Sequence, residues 1–523
     1  MSSKNKFYVV TPIYYANADP HIGSTYTTLA ADVLARFHRM VGDKTFFLTG
    51  TDEHGAKIAE YAKRAGKSPQ EFTDELVAKF ELVWDNLAIT NDGFIRTTDK
   101  RHIKASQKAL QHLYDKGFIY KGEYKGLYCV GCEQYKTEKD LVDGKCPDHG
   151  TEPEEMKEDC YMFKLSAFQD ELLKKIEGDE FKIRPKTRKN EVLSFYKNNG
   201  LADIACSRKN IKWGIELPWD REHTAYVWME AFLNYLTGIG WTGDPKKVPE
   251  MWPADVQLMA KDILRVHASI WPAMLLALEI PLPKKYFVHG YFLVDGQKMS
   301  KSIGNVIAPG DLVQKYGVDG TRYLLMSAAT FGRDGDISWE KFNEKFNADL
   351  ANGIGNLVAR SITLADKMRL AGLSIPVCVE RPDTEEKLKK WGGRILNKDI
   401  NKNWKDYKNH MKNIEIDKAL EVVMNEQKYL DGYITEHQPW VMIKEGNKDT
   451  GIIMYNILER LRHVALMLFP FMPEVSEKII TRLGLDFHEE ISKNLEDNIK
   501  FGLLKSDTKA QPGDSLFPRL DTI

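Results

Sequence analysis

Two pairs of potential metal ligands lie close together in the sequence. Cys129 and Cys132 form a Cys-x2-Cys pair, and after thirteen further residues Cys146 and His149 form a Cys-x2-His pair. Three thiolates and an imidazole suit a tetrahedral zinc ion, and four protein ligands leave no open position for water. The spacing therefore predicts one structural zinc ion, which folds a segment with little core of its own. The alternative is four unconnected side chains.

A second candidate motif is Pro20-His21-Ile22-Gly23-Ser24, between the strand-like run KFYVV and an amphipathic helical run. In a parallel α/β sheet, backbone N–H groups at such a helix N-terminus face phosphate. Gly23 would let a nucleotide approach the backbone, and His21 could donate to a phosphoryl oxygen. A histidine beside a glycine is more often structural, so this motif alone does not decide the function.

The third motif is FLVDGQKMSKSIGN, in which Lys298 and Lys301 flank a methionine and a serine. Taken alone, two ammonium groups held this close together do not indicate a function. An isolated run of this kind is usually a solvated loop, so its meaning depends on the rest of the chain.

The elements that must position these motifs fall into three parts. Strand-like and helical runs alternate in residues 1–118 and again in 220–337, whereas 119–219 is richer in Gly, Tyr and charge. Residues 338–523 are almost entirely amphipathic helix. We therefore predict a split α/β domain with a Rossmann-like parallel sheet, a zinc-knuckle insert and an all-α helical bundle.

Composition sets further bounds. A chain of 523 residues is too long for one core, and a net charge of −1 argues neither for nor against a nucleic-acid partner. The sequence contains no membrane-spanning run. Six cysteines do not make a disulfide scaffold, which predicts a reducing, cytoplasmic location. Cys160, Cys206 and Cys378 have no partner at metal spacing and are predicted to be buried thiols.

Together, the His-Ile-Gly and Lys-Met-Ser-Lys-Ser motifs resemble the paired signatures of class I aminoacyl-tRNA synthetases. Within that class the chain resembles the methionyl family, in the Cys/His knuckle and in VVTPIYYANADPHIG, GTDEHG, AYVWMEA, AKDILRVH, HGYFLVDGQKMSKSIGN, DGDISW, NLVAR and QPWV. The resemblance implies that methionine and ATP form methionyl-adenylate and pyrophosphate, with Mg²⁺ as cofactor. The methionyl group then passes to the 3′-terminal adenosine of tRNA(Met), initiator and elongator.

The resemblance assigns catalytic roles to His21, Lys298 and Lys301. A methionine carboxylate needs no general base, so the barrier is one of positioning and of charge on the phosphoryl oxygens. Two residues depart from the family pattern, because Ser24 stands where a second histidine is usual and Ala260 where a glycine is usual. The residues expected to bind ATP are His21, Gly23, Ser24, Lys298, Ser300 and Lys301.

The methionine pocket also follows from the resemblance. Asp52 is expected to accept hydrogen bonds from the substrate ammonium, and aromatic side chains to hold the thioether, although core packing is the alternative for them. Arg208 and Asp262 are expected to pair near the site, with a purely structural salt bridge as the alternative. The residues expected to line the pocket are Pro12, Ile13, Tyr15, Asp52, Trp228, Ala231, Tyr235, Ile263 and His267.

The helical domain is expected to bind the tRNA anticodon. Asn352, Asn356 and Arg360 recur every fourth residue, so one helix face would present two amides and a guanidinium to base edges. Trp440 matches the family's stacking tryptophan, although a tryptophan after a proline at a helix start is more often core. The basic stretch 387–412 fits a phosphate-facing stripe and a solvated helix face equally well.

Four other classes of protein are alternatives. A small nucleotidyltransferase would not need a zinc insert, and the branched-chain synthetases carry a larger insert than 119–219. Cysteinyl-tRNA synthetase, the main alternative, places zinc in its amino-acid pocket. A non-catalytic RNA-binding zinc protein would not need the lysine motif or Asp52. The chain ends at SLFPRLDTI, where many bacterial relatives continue into a dimerising domain, which predicts a monomer.

Overall fold

The computed structural model describes residues 5–130, 134–136, 138, 141–147, 150–209, 211–294, 296–298, 307–374, 393–505 and 508–521. Cys132, His149, Ser300, Lys301 and Cys378 lie outside these ranges, as does the start of the basic stretch 387–412. No helix in the described ranges is both long enough and apolar enough to cross a membrane.

The strands of the described residues are numbered in chain order. They are β1 (Lys6–Val10), β2 (Tyr14–Tyr15), β3 (Lys44–Asp52), β4 (Gly93–Arg96), β5 (Ile119–Cys129), β6 (Gln134–Lys136), β7 (Glu154–Phe163), β8 (Lys182–Arg184), β9 (Ile204–Ala205), β10 (Ser207–Arg208), β11 (Glu216–Leu217), β12 (Asp220–Ala225), β13 (Val256–Ala260), β14 (Lys285–His289), β15 (Phe292–Val294), β16 (Gln297–Lys298) and β17 (Gly335–Ile337).

The helices are numbered in the same way. They are α1 (Ile22–Met40), α2 (Ala56–Arg64), α3 (Pro69–Asn86), α4 (Lys100–Asp115), α5 (Gln169–Glu177), α6 (Lys186–Asn199), α7 (Val227–Ala231), α8 (Asn234–Thr237), α9 (Leu264–Ala277), α10 (Pro309–Ser327), α11 (Trp339–Lys345), α12 (Asn356–Leu370), α13 (Gly393–Asn413), α14 (Ile416–His437), α15 (Pro439–Lys444), α16 (Thr450–Leu468), α17 (Pro473–Arg482), α18 (Phe487–Ser492) and α19 (Leu495–Asn498). A π-helical segment, Phe346–Gly355, joins α11 to α12.

A parallel sheet forms the centre of the α/β part. Leu48 of β3 lies in register with both Val10 of β1 and Gly93 of β4, so β1 and β4 flank β3. On its other side β1 pairs with β13, which pairs with β14, which pairs with β8 at the edge. The predicted parallel sheet is therefore confirmed, and the two halves of the chain meet where β1 lies beside β13.

Side chains of β1 alternate between the two faces of this sheet. Phe7 and Val9 join the core that contains α1, whereas Tyr8 and Val10 join the core on the opposite face. A strand that is buried on both faces has no polar side, which explains the apolar run KFYVV. The helix α3 begins with a capping box formed by Ser68 and Glu71, with Pro69 at the first position, a residue pattern that predicts a helix start.

The segment between the two halves forms a second, largely antiparallel sheet. Its strand order is β6-β5-β7-β9, and it carries Cys129 at the end of β5. The strand β8 lies within the predicted insert 119–219 but pairs with β14 of the central sheet. The central sheet thus takes one edge strand from this segment, and the predicted domain boundaries stay predictions.

The C-terminal part is helical, as predicted, and it shares a core with the α/β part. The apolar cluster on the α1 face of the sheet runs without a break into residues of α12 through α17. The helical bundle therefore packs against α1 and α10 on this face of the central sheet.

A fully buried guanidinium connects these two parts. The Arg322 side chain, on α10, donates to Asp32 Oδ2 on α1 at 2.7 Å and to the carbonyl oxygens of Phe471 at 2.7 Å and Pro470 at 2.9 Å. Burial would raise the pKa of the Asp32 carboxyl, but Arg322 and Arg36 outweigh this effect and lower it. Asp32 is therefore ionised, and each charge depends on the other for its burial.

Replacing Arg322 by methionine should strongly destabilise the fold. The variant leaves Asp32 buried without its main counter-charge, which typically costs about 3–5 kcal/mol, so the midpoint of thermal unfolding should fall by several degrees. Arg369→Met is the matched control, because Arg369 is 56% exposed and its pair with Asp366 is on the surface. Equal midpoints for the two variants would contradict this account.

Candidate active site

A cavity of about 600 Å³ opens at the carboxyl ends of β1, β3, β13 and β14. This is the crevice where a doubly wound sheet binds ligands, and the volume is ordinary for a small-molecule site. All nine residues that the sequence predicts for the methionine pocket line the cavity: Pro12, Ile13, Tyr15, Asp52, Trp228, Ala231, Tyr235, Ile263 and His267. His21, Gly23 and Ser24 line it too.

His21 caps the N-terminus of α1. Its Nδ1 accepts a hydrogen bond from the Gly23 N–H at 3.0 Å, so a neutral His21 carries its proton on Nε2 and can donate to a ligand. A Cβ at Gly23 would lie 2.8 Å from His21 Cε1. The glycine is therefore required by the histidine ring itself, in addition to any approach of a nucleotide.

Ser24, which stands where the family has a second histidine, completes this cap. Its hydroxyl donates to the His21 carbonyl oxygen at 2.7 Å and lies 3.2 Å from the His21 N–H, in a capping box. The single hydroxyl proton is used within the turn. Ser24 therefore acts on the orientation of His21, and a direct donation to ATP would require this bond to break.

Asp52 lies at the carboxyl end of β3, opposite Tyr15 in the register of β2 and β3. Its side chain is 8% exposed and lines the cavity. The next residue, Glu53, faces away and accepts two hydrogen bonds from Arg96, both of 2.7 Å. Of the two adjacent carboxylates in GTDEHG, the cavity therefore receives Asp52, as the sequence predicts.

A buried network behind the cavity connects the Asp52 turn to α7. Glu230 accepts from His54 Nδ1 and from His102 Nε2, each at 2.9 Å. Burial would raise the pKa of the Glu230 carboxyl, but the two histidines outweigh this effect and lower it. The network holds α7, a five-residue helix that carries Trp228 and Ala231, against the strand that carries Asp52. Sequence reasoning did not identify these three residues.

The aromatic wall of the cavity consists of Trp228, Tyr235 and His267, and the protonation state of His267 is fixed. His267 Nδ1 lies 2.9 Å from the Ile263 carbonyl oxygen, which can only accept, so Nδ1 carries the proton. Nε2 then accepts from the Tyr235 hydroxyl at 2.8 Å. Burial lowers the pKa of His267 to about 4. The ring is therefore neutral at pH 7, and the wall presents no net charge to an apolar ligand.

Asp262 lies at the cavity and is exposed, in the turn that follows β13. Arg208 lies instead beside a smaller hollow with Tyr128 and Trp213, with its guanidinium 4.3 Å from the centre of the Tyr226 ring. Their pairing stays a prediction. Ala260 lines the cavity.

Several cavity residues were not predicted, and His289 is the most informative. It ends β14, is 2% exposed and donates from Nδ1 to the Gly290 carbonyl oxygen at 2.8 Å. Its Nε2 lies 2.7 Å from Thr27 Oγ1 on α1, and burial lowers its pKa. Its position at the carboxyl end of a parallel strand was the signal in the sequence. Tyr291 follows it on the cavity wall.

The lysine motif is described only at its start. Lys298 ends β16, which pairs with β15 through Leu293 and Lys298, and β15 begins at Phe292 on the cavity wall. Nothing beyond this backbone position is described for Lys298. Ser300 and Lys301 lie outside the described residues, so the ATP contacts of the motif stay predictions.

Two of the four predicted zinc ligands are described. Cys129 and Cys146 are buried, at 1% and 0% exposure, and neither forms a disulfide bond. Within the ranges described, no group of three or more His, Cys, Asp or Glu side chains is arranged so that it could hold a metal ion; Cys132 and His149 lie outside these ranges. Cys160 and Cys206 are buried thiols, as predicted.

All four predicted anticodon residues lie within the described ranges of the helical part. Asn352 and Asn356 are exposed, in the π-helical segment and at the start of α12. The Arg360 guanidinium lies 5.0 Å from the centre of the Trp440 ring. Trp440 is only partly buried, so part of its ring remains available to a ligand.

Comparison with known proteins first defines the class. The family described as "tRNA synthetases class I (M)" matches residues 7–155 and 149–362. The "Anticodon binding domain of methionyl tRNA ligase" matches residues 387–521. Fold, cavity and these matches together identify a class I aminoacyl-tRNA synthetase, which confirms the resemblance seen in the sequence.

Individual relatives show which family within this class the chain belongs to. The methionine–tRNA ligase of Clostridium acetobutylicum is 44% identical and covers 100% of this chain and 79% of its own length. That of Streptomyces coelicolor is 40% identical, over 98% of this chain and 97% of its own. The structure of Mycobacterium tuberculosis methionyl-tRNA synthetase with methionyl-adenylate has a TM-score of 0.90 at 35% identity, over 98% of this chain and 100% of that one. The chain belongs to the methionine–tRNA ligase family.

The buried His267 should make stability depend on pH. Its pKa is lower in the folded protein, about 4, than in the unfolded chain, so the unfolded state binds more protons below about pH 6.5. The folded state should therefore lose about 2 kcal/mol from this group between pH 7 and pH 5. In His267→Gln the fall of the unfolding midpoint over this range should be smaller than in the wild type.

The control for this measurement is His488→Gln, because His488 is exposed. It should show the wild-type dependence of the unfolding midpoint on pH. An unchanged slope in His267→Gln would mean that the pKa of His267 is the same in the folded and the unfolded state, which would contradict this account.

Proposed function

We propose that this protein activates methionine with ATP and transfers it to tRNA(Met). The observation that carries the proposal is one cavity in which a carboxylate, an uncharged aromatic wall and a capped helix N-terminus converge, in a chain of the methionine–tRNA ligase family. Asp52 lies at the end of β3, Tyr235 and His267 form the aromatic wall, and His21 begins α1. Each part has a counterpart in the substrates, namely an ammonium, a thioether and a triphosphate.

The first step requires positioning and charge stabilisation. The methionine carboxylate forms a bond to the α-phosphorus of ATP, and the bond to the β-phosphate oxygen breaks to release pyrophosphate. Because no proton moves, no base is needed. His21 would donate from Nε2 to a phosphoryl oxygen, and Lys298 and Lys301 would stabilise charge on the triphosphate. Mg²⁺ would neutralise further charge on the phosphates when bound.

Methionine would lie across the cavity between two walls. Its ammonium would be hydrogen-bonded by Asp52, while the thioether would contact Trp228, Tyr235 and His267. Because the Tyr235 hydroxyl already donates to His267, the wall does not demand a hydrogen-bonding partner from the ligand. A soft, weakly accepting sulfur suits such a wall.

In the second step the adenylate would be transferred to tRNA. A hydroxyl of the 3′-terminal adenosine attacks the carbonyl carbon, AMP leaves, and the hydroxyl proton is lost. The helical part would hold the anticodon, with Asn352, Asn356 and Arg360 reading base edges and Trp440 stacking on a base. We expect both initiator and elongator tRNA(Met) to bind, because both share the anticodon that this surface would read.

The insert would be folded by one structural zinc ion. The two described ligands are buried thiols, Cys129 and Cys146, and thiolates are favoured zinc donors. Cys132 and His149 would complete the four ligands. The proposed zinc would therefore stabilise the sheet of β5, β6 and β7 and take no part in the chemistry.

Amino-acid-dependent exchange of pyrophosphate into ATP tests the proposed activity. The wild type should exchange with methionine alone among the twenty amino acids. Lys301→Ala should lower the rate about 100- to 1000-fold, and Asp52→Asn should raise the KM for methionine far more than that for ATP. Lys448→Ala, at an exposed lysine in the helical part, should behave as the wild type. Exchange with cysteine instead would overturn the pocket assignment.

Metal analysis of purified protein tests the zinc site separately. The wild type should contain about one zinc ion per chain, whereas Cys129→Ser and Cys146→Ser should lose the metal and unfold at a lower temperature. Cys160→Ser is the matched control, since Cys160 is equally buried and its Sγ faces Met162 at 3.6 Å. Full zinc content in the first two variants would contradict the assignment.

A further inference from the structure

The motif DGDISW, which the proposed function leaves without a role, lies directly behind the nucleotide side of the cavity. Gly335–Ile337 forms β17, and β17 pairs in parallel with β15 through Phe292–Gly335 and Leu293–Asp336. β15 runs on through a turn into β16, which ends at Lys298. The two carboxylates of the motif, Asp334 and Asp336, therefore flank the hairpin that leads into the lysine motif.

Asp334 bonds to two walls of the cavity at once. Its Oδ1 accepts from the Tyr291 backbone N–H at 2.8 Å, and its two oxygens accept from Lys261 Nζ at 3.0 and 2.7 Å. Lys261 lies between Ala260 and Asp262, which line the cavity at the end of β13. Tyr291 lines it after β14. The carboxylate thus sets the spacing between these two walls.

A glycine and an aromatic ring also contribute to the contact of Asp334 with Tyr291 and Lys261. A Cβ at Gly290 would lie 2.3 Å from the backbone nitrogen of Asp334. Only glycine therefore lets these two segments approach closely enough for the Tyr291 N–H to donate to Asp334. The Lys261 ammonium also lies 4.6 Å from the centre of the Tyr291 ring. Three separate interactions therefore fix Tyr291 relative to β13.

Asp336 performs the same task at the other end of the hairpin. Its Oδ1 accepts from the Gly296 N–H at 2.8 Å, and its Oδ2 accepts from Lys341 Nζ at 2.6 Å. Gly296 has a φ of +73°, which favours glycine in the turn between β15 and β16. Asp334 thus fixes the backbone before β15, at Tyr291, and Asp336 fixes the turn after β15, at Gly296.

These ion pairs contribute little to stability. The side chains of Asp334 and Lys261 are 38% and 28% exposed, and those of Asp336 and Lys341 are 41% and 55% exposed. Exposed pairs of this kind change the free energy of unfolding by roughly 0–1 kcal/mol. Their geometric effect is larger, because a displacement of about 1 Å at a reacting group can cost on the order of 100-fold in rate.

We propose that Asp334 is a positioning residue for ATP, and that Asp336 supports it by fixing the hairpin turn. Asp334 holds Tyr291 and Lys261 so that the walls at β13 and β14 and the backbone of Lys298 keep their spacing for the triphosphate. The proposal rests on the proposed function for the identity of the ligand. It assigns neither residue a contact with ATP.

Four variants separate the two bonds of Asp334. Asp334→Ala removes both bonds, and Asp334→Asn keeps an oxygen for the Tyr291 N–H but loses the charge. Lys261→Met removes the ion pair and the contact of the ammonium with the Tyr291 ring but keeps the Tyr291 N–H bond to Asp334. Asp336→Asn removes the charge that pairs with Lys341 and keeps an oxygen for the Gly296 N–H. Asp366→Ala is the control, because Asp366 forms a surface ion pair with Arg369 in the helical part.

The measurements are the KM for ATP, the KM for methionine and the kcat of pyrophosphate exchange, together with ATP binding by calorimetry and the unfolding midpoint. Asp334→Ala should raise the KM for ATP and lower kcat, by about 100-fold in kcat/KM. The KM for methionine and the midpoint should stay at wild-type values. Asp334→Asn, Lys261→Met and Asp336→Asn should lie between Asp334→Ala and the wild type, and Asp366→Ala should equal the wild type.

Two results would overturn the proposal. One is wild-type ATP parameters in Asp334→Ala; the other is a parallel loss of ATP binding, methionine binding and thermal stability, which would indicate a general role in folding. Failure of the wild type to exchange with methionine would contradict the proposed function instead. In that case ATP binding by calorimetry still tests Asp334, because the variants are compared with the wild type directly.

Discussion

The parallel pairing of β1 with β13 is the constraint on which the rest of the molecule depends. Val9 and Val10 lie in register with Val256 and Gln257, so this contact closes a very long loop, at an entropic cost that grows only slowly with loop length. Burial on both faces of the sheet offsets that cost. This pairing brings several walls of the cavity together. The helix α1 and its cap follow β1, and Asp52 ends the strand beside β1. His267 and the residues that Asp334 contacts follow β13 and β14.

Histidines in and around the cavity have their protons placed by the backbone. A carbonyl oxygen next to Nδ1 fixes the tautomers of His267 and His289, and the Gly23 N–H fixes the opposite tautomer in His21. Nε2 is thus a hydrogen-bond acceptor within the protein in His267 and His289, and a donor that faces the cavity in His21. Such fixed donors and acceptors need no reorganisation when a charged transition state forms, which is the main way that an enzyme stabilises it.

Local signals predicted the parts of this molecule that local chemistry determines. The capping box at Ser68 and the strand KFYVV need only their neighbours, whereas the nine pocket residues came from the resemblance to the methionyl family. The residues that sequence reasoning missed act across the chain. Glu230 joins His54 and His102, and Asp334 joins Lys261 and Tyr291; neither pairing has a spacing that could reveal it. The strand β8 was assigned to the insert for the same reason, since its partner β14 lies about a hundred residues later in the chain.

The uninterrupted apolar core beneath α1 has a consequence for how the chain can evolve and be divided. Residues from the sheet face, from α10 and from α12 through α17 all belong to it. A domain boundary normally crosses few contacts, whereas a cut near residue 338 would expose two large complementary apolar faces. The helical part is therefore not a module that recombination could exchange freely among unrelated synthetases. Its inner face and the outer face of α1 must change together, so substitutions on one side are tolerated only when the other side compensates in volume.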